Sequence, residues 1–227
     1  MVNINKKVYL KAKSGKRLSK DNLSLTGLII GVTGGFGTGK TLVAGIFKKF
    51  GAYVINADEI AHELLLQKNL VYRRSVAKFG CGILNNDKTI NRKKLAAVVF
   101  SSNGNLSEYQ KIIHPQIIKI IKQRIKDFKS KSGKCELIVL DAPLLIETGL
   151  SSIVDKVVVV KTNKKNQHAR LKNKFSTDPT IFKRLKYQLS LSEKIKLADY
   201  IIDNNTTRKN TEKQISFIWE KLFCEKK

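Results

Sequence analysis

The string GGFGTGKT, Gly34 to Thr41, concentrates the residue types that bind a phosphate chain and fits the pattern G-x-x-x-x-G-K-[ST] in full. Glycines let the backbone turn with its N–H groups pointing inward, so Gly35, Phe36, Gly37, Thr38 and Gly39 are expected to form a nest for the terminal phosphates of ATP, continued by Lys40, Thr41 and Leu42. Lys40 supplies a movable positive charge for the β- and γ-phosphates, and the Thr41 hydroxyl suits a Mg²⁺ ligand. Two carboxylates complete the candidate chemistry. Asp58 follows a short apolar run at the start of a helical stretch, where it can serve as a base for an attacking hydroxyl or as a helix cap. Asp141 ends another apolar run. It reads either as a carboxylate that holds Mg²⁺ through water or as a strand-end group tied into the loop before Pro143.

These groups need a frame that places them at one edge. LIIGV, AYVIN, ELIVLDAP, DKVVVVK and ADYIIDNN read as five strands, and several are apolar nearly throughout, as in a parallel sheet buried on both faces. The first leads straight into the glycine string. TLVAGIFKKF then sets Val43, Ile46, Phe47 and Phe50 at helical spacing, and Ile215, Ile218, Trp219 and Leu222 share one face of a closing helix. Strand and helix alternate, which calls for an α/β fold with a doubly wound parallel sheet between helices. The middle of the chain, to about Lys131, reads as helical; Asn85 to Asn91 supplies turn residues within it, and IIHPQIIKIIKQRI starts a helix near His114, with Ile117, Ile120, Ile121 and Arg124 along its face.

Bulk properties narrow the classes. The 227 residues include 44 Lys and Arg against 18 Asp and Glu, a formal charge of +26. Such a surface attracts polyanions, but the lysines are spread along the chain without a zinc-finger or RNP-type signature, so a solvated basic surface is favoured over nucleic-acid binding. Cys81, Cys135 and Cys224 are far apart and lack CxxC spacing, which argues against a disulfide framework or a zinc site and suits a reducing, cytoplasmic compartment. No run reaches membrane-spanning length. Residues 1–26 form a basic stretch with one acid, Asp21, expected as a poorly ordered arm. Residues 27–227 are expected as the catalytic domain. The absence of a guanine-specifying N-K-x-D and of helicase motifs leaves a small kinase as the favoured class.

The ordered pieces IIGVTGGFGTGKT, VINADEIAHELL, FGCGILNNDKTINRKKLAAVVF, IIHPQI, LDAPLLIETGL, QHARL and LADYIIDNN resemble the dephospho-coenzyme A kinases, from about Leu28 to the closing helix. That resemblance implies a P-loop fold of three α/β/α layers with a five-stranded parallel sheet, similar to adenylate kinase. It implies a helical substrate-binding portion at about 66–131 and a lid at about 165–195. The implied reaction is phosphorylation of the ribose 3′-hydroxyl of dephospho-coenzyme A by ATP with Mg²⁺, with Asp58 as base and Lys40 as electrostatic partner. Arg92, His114, Pro143 and Leu144 would contact the acceptor, and Arg170 and Lys174 would act from the lid. Three positions depart from the family pattern: Asn56 replaces the first aspartate of a D-A-D string, Lys174 replaces an arginine, and Leu42 replaces a hydroxyl residue. The expected state is a monomer or weak oligomer. Another small-molecule or nucleoside-monophosphate kinase, a nucleic-acid-stimulated ATPase and a binding-only relative are the rival readings.

Overall fold

Apolar, β-branched runs form the sheet in a computed structural model that describes residues 27–131, 137–175 and 188–224. The strands are β1 (Leu28–Gly34), β2 (Tyr53–Asn56), β3 (Leu137–Asp141), β4 (Lys156–Lys161) and β5 (Tyr200–Asp203). Their order is β2-β3-β1-β4-β5 in one five-stranded parallel sheet. Register pairs Val32 with Asp141 on one side of β1 and with Val158 on the other. β3 and β4 follow one another in the chain but flank β1 on opposite sides. The order reverses beside β1, the position where open α/β sheets leave a crevice at their C-terminal edge.

The described residues fall into two compact units. The first holds residues 27–55, 128–131, 137–175 and 188–224, and therefore the sheet. Helix α1 (Lys40–Lys49) packs with α8 (Arg208–Cys224) over this sheet. Val43, Ile46 and Phe47 of α1 meet Ile215, Ile218 and Leu222 of α8, together with Ile30, Val32, Val139 and Val158. Deleting a ring as deeply placed as Phe47 costs about 3–5 kcal/mol in comparable cores. Phe50, expected on the same helical face, instead lies just past the end of α1, 38% exposed and tilted against Trp219 at 5.7 Å. Gly51, at φ 102°, ends that helical turn in a conformation open to glycine.

The second unit spans residues 56–127 of the described chain. It contains α2 (Ala57–Leu64), α3 (Leu70–Phe79), α4 (Arg92–Val99) and most of α5 (Asn103–Lys131). Its own core gathers Ile83, Ile90, Leu95, Val99 and Leu106. The turn expected at Asn85–Asn91 is present: Leu84 bridges Ile90, and the Asp87 carboxylate accepts from the Thr89 amide and hydroxyl. Those two donors hold the Asp87 carboxyl below its usual range. Glu108 pairs with Lys111 on its own helix at 2.8 Å and ties α5 to α3 through Lys78 at 3.0 Å, which lowers its carboxyl to about 2.

No helix starts at His114. α5 begins at Asn103 and runs through Pro115. Proline removes one N–H and disfavours a helix interior. Buried Leu106, Ile113, Ile121 and Ile125 lie along one face on both sides of it, and that extended burial outweighs the local loss. The arm at 1–26 and residues 176–187 of the lid expected at about 165–195 lie outside the described residues.

Candidate active site

The glycine string forms the loop between β1 and α1, as its spacing predicts. Gly39 sits at φ 95°, ψ 29° as the residue before α1, a left-handed conformation that a side chain resists. The Gly35 carbonyl accepts three donors: the Thr38 amide at 3.3 Å, the Thr38 hydroxyl at 2.9 Å and the Lys40 ammonium at 3.0 Å. Lys40 is buried, 8% exposed, so its charge is held inside the loop. No acidic side chain lies in the first turn of α1. The helix's positive end therefore remains available to an anion.

Carbonyls on the outer side of this loop are held from behind. Helix α6 (Lys164–Phe175) carries Gln167 and Arg170 on one face, three residues apart. Gln167 donates to the Phe36 carbonyl at 2.6 Å and Arg170 to the Thr38 carbonyl at 3.2 Å. Asn204, 2% exposed, also donates to the Thr38 carbonyl, at 2.8 Å, while its own side-chain oxygen accepts from Thr211 at 3.0 Å. Arg170 reaches the Asn204 carbonyl as well, at 2.8 Å. Fixing these carbonyls outward turns the intervening amides toward the loop interior, the orientation an oxyanion needs. Arg170, expected over the phosphates from the lid, is thus engaged with the loop's backbone in this structure. A guanidinium has five N–H donors, so further contacts stay open to it.

The segment Asp203–Asn205 organises this support. Gln214 pairs with the Asp203 backbone in both directions, at 2.9 Å each way. Asn205 accepts from the Thr162 hydroxyl at 3.0 Å, and its carbonyl accepts from Asn166 at 2.9 Å. β4, β5, α6 and α8 therefore converge behind the phosphate cradle. Of these supports only Arg170 was singled out from the sequence. Gln167 could have been found by its helical spacing from Arg170, and Asn204 by its place just past a strand end.

Asp141 ends β3, 4% exposed, and the next amide, Ala142, donates to the Val32 carbonyl at 3.1 Å. Thr41 lies in the first turn of α1 and is exposed. One hydroxyl and one carboxylate are hard oxygen donors of the number Mg²⁺ takes from protein when phosphates supply the rest, so the donor set fits that ion. Pro143 accepts from Thr33 at 3.2 Å through its carbonyl, Leu144 is half-buried, and Leu145 is core against Gly31. Lys174 lies on α6.

Asp58, Arg92 and His114 belong to the second unit, on three different helices. Asn56 caps α2: its side-chain oxygen accepts from the Asp58 and Glu59 amides at 2.9 and 3.3 Å, and its amide donates to Glu59 at 3.2 Å. Capping is therefore the work of Asn56, and the Asp58 carboxylate is exposed at the second helical position. The departure at Asn56 also acquires a reason, since asparagine and aspartate cap equally well. Arg92 opens α4, exposed, behind the Asn91 cap.

Burial pushes the His114 imidazole below its ordinary 6.5. The unfolded chain then binds that proton more readily than the folded one. The stability His114 contributes is full above about pH 6.5 and is lost as pH falls through its lowered folded value. Thermal melts should therefore show a steeper loss as pH falls below about 6.5 for the native chain than for His114→Asn. Parallel curves would place the acid sensitivity elsewhere.

A family model described as dephospho-CoA kinase matches residues 28–210. The dephospho-CoA kinase of Carboxydothermus hydrogenoformans is 40% identical over 195 residues, covering 85% of this chain and 93% of that one. That of Aquifex aeolicus is 35% identical, covering 85% and 96%. Among solved structures, dephospho-CoA kinase from Campylobacter jejuni superposes with a TM-score of 0.62 at 25% identity, over 86% of this chain and 97% of that one. TT1252 from Thermus thermophilus shares the fold, with a TM-score of 0.71 at 22% identity over 87% and 98%.

Proposed function

The chain belongs to the dephospho-CoA kinase family, and from that premise we propose that it transfers the γ-phosphoryl group of ATP to the ribose 3′-hydroxyl of dephospho-CoA, giving CoA and ADP. The observation that carries the chemistry is the buried Lys40 ammonium, held 3.0 Å from the Gly35 carbonyl in a loop whose backbone is braced from outside. Phosphoryl transfer through a loose transition state asks for positioning and charge compensation more than for covalent chemistry. Residues Gly35 to Leu42 bind the triphosphate, and Lys40 leaves the Gly35 carbonyl for the β- and γ-phosphate oxygens.

Thr41 and Asp141 would hold Mg²⁺, which when bound would offset charge on those phosphates. Asp58 orients the acceptor hydroxyl and receives its proton. Its support is topological: parallel strands end at one edge, and Asp58 follows the last residue of β2 by two positions. Arg92, His114, Pro143 and Leu144 serve the acceptor, as the family resemblance implies. Arg170 and Lys174 compensate charge from α6, with water excluded as ligands close the site. Lys174 brings a point charge where a guanidinium would bind two oxygens at once. Among the described residues no helix is long and apolar enough to cross a membrane. We read the enzyme as cytoplasmic and monomeric or weakly associated, since its scattered cysteines suit a reducing compartment.

The test is a panel of acceptors with purified protein, ATP and Mg²⁺, product identified by mass. Dephospho-CoA should be phosphorylated and nucleoside monophosphates should not. Transfer to a nucleoside monophosphate but not to dephospho-CoA would overturn the reading. ATP hydrolysis should not respond to added RNA or DNA, despite the charge of +26.

A further inference from the structure

Lys194, on α7 (Leu191–Lys196), has no solvent exposure. An ammonium carries three N–H donors. Three acceptors surround this one: the Pro143 carbonyl at 2.6 Å, a Glu147 carboxylate oxygen at 2.9 Å and the Thr33 hydroxyl at 3.4 Å. Thr33 in turn donates to the same Pro143 carbonyl at 3.2 Å. The Glu147 oxygen that meets Lys194 also accepts the Leu189 amide at 2.9 Å. Three stretches of the first unit are thereby tied at one nitrogen. They are the residue before the phosphate cradle, the loop after Asp141 and the chain around α7.

β1 and β3 are already held together by their ladder, up to Val32 and Asp141. The loop beyond Asp141 has no ladder to hold it. Its proline carbonyl and its glutamate are gripped by Lys194. Stability alone is a poor reason for this arrangement, because buried ion pairs can often be replaced by uncharged groups at little cost. The second Glu147 oxygen is also buried, with no hydrogen-bond partner among the described residues, a cost that a purely stabilising pair would avoid. With its donors engaged by protein acceptors, Lys194 has none left for substrate and must act through its neighbours.

We propose that Lys194 is a positioning residue: through Glu147, Pro143 and Thr33 it sets the loop at 142–149 against the phosphate cradle, so that the acceptor hydroxyl lies in line with the transferring phosphoryl group. This rests on the reading of the reaction given above. In-line transfer is sensitive to displacements near 1 Å, so a loosened loop lowers turnover before it lowers ATP affinity.

The discriminating protein is the double variant Lys194→Met/Glu147→Gln. It leaves no unpaired buried charge, and the glutamine oxygen can still accept the Leu189 amide. Lys194→Met alone should melt at lower temperature and turn over slowly. The double variant should regain most of the melting temperature, with kcat for dephospho-CoA still reduced about tenfold or more and KM for ATP within about twofold of wild type. Thr33→Val, nearly isosteric, removes one Lys194 acceptor and one Pro143 donor without burying a charge. It should lower kcat several-fold with the same constancy of KM for ATP, and it supplies the answer if the double variant does not fold. Wild-type kcat in the refolded double variant, or in Thr33→Val, overturns the proposal, as does an equal rise in KM for ATP. Failure of the wild-type protein to phosphorylate dephospho-CoA would instead overturn the reaction itself.

Discussion

Asp58→Asn is expected to lower turnover of dephospho-CoA by about two orders of magnitude or more, with ATP affinity nearly unchanged. The substitution keeps the size of the side chain and removes its negative charge together with its capacity to take a proton. Helix α2 should not suffer, because its cap is Asn56 and Glu59 still places an acid in its first turn. The Asp58 carboxylate is exposed and caps nothing, so a loss of activity without a loss of melting temperature isolates its chemical role. Kinetics with saturating ATP, alongside an equilibrium titration of ATP, separate the two effects. Near-normal turnover would remove Asp58 from the reaction. Asn56→Asp is the informative companion. It should fold as well as the native chain, because either residue can accept from the Asp58 and Glu59 amides.

The second large effect concerns the cradle. Gly39→Ala should weaken ATP binding by roughly a hundredfold. At φ 95° an added Cβ is strained whatever the space, and here it would also run into the Asn204 side-chain nitrogen that donates to Thr38. Left-handed backbone costs an L residue about 1–2 kcal/mol, and losing the Asn204 hydrogen bond about 1 kcal/mol more. The free variant escapes much of this by relaxing its loop. Binding must then restore the strained form, so the cost falls on affinity and only weakly on stability. Calorimetric titration with ATP and a melting curve on the same sample report the two quantities. An ATP affinity within about threefold of wild type would mean that the loop accepts a methyl group without losing its inward amides.

The readable part of this protein follows from short-range rules. Runs such as LIVL and VVVV announce buried parallel strands because both faces of each strand need cover, and the structure buries Leu137 to Leu140 and Val157 to Val160 accordingly. The glycine string was legible for a similar reason, since a loop that offers its amides to phosphate has few residue types open to it. Helix ends were harder. Pro115 looked like a boundary on local grounds, yet burial along α5 carries the helix past it. Phe50 kept the spacing of α1 but fell beyond its last turn.

What spacing could not show is which polar side chains leave the surface. Lys194 stands among serine, glutamate and other lysines, where pattern reading assigns a solvated face, and the fold gives it no exposure at all. Its acceptors Thr33, Pro143 and Glu147 lie from 47 to 161 positions away. Asn204 meets Thr38 across 166 positions. Local sequence carries the identity of strands, caps and the phosphate loop, because those depend on backbone geometry within a few residues. The bracing of that loop depends on distant segments meeting at one sheet edge, and a buried polar group finds its partners only once the chain has closed around it.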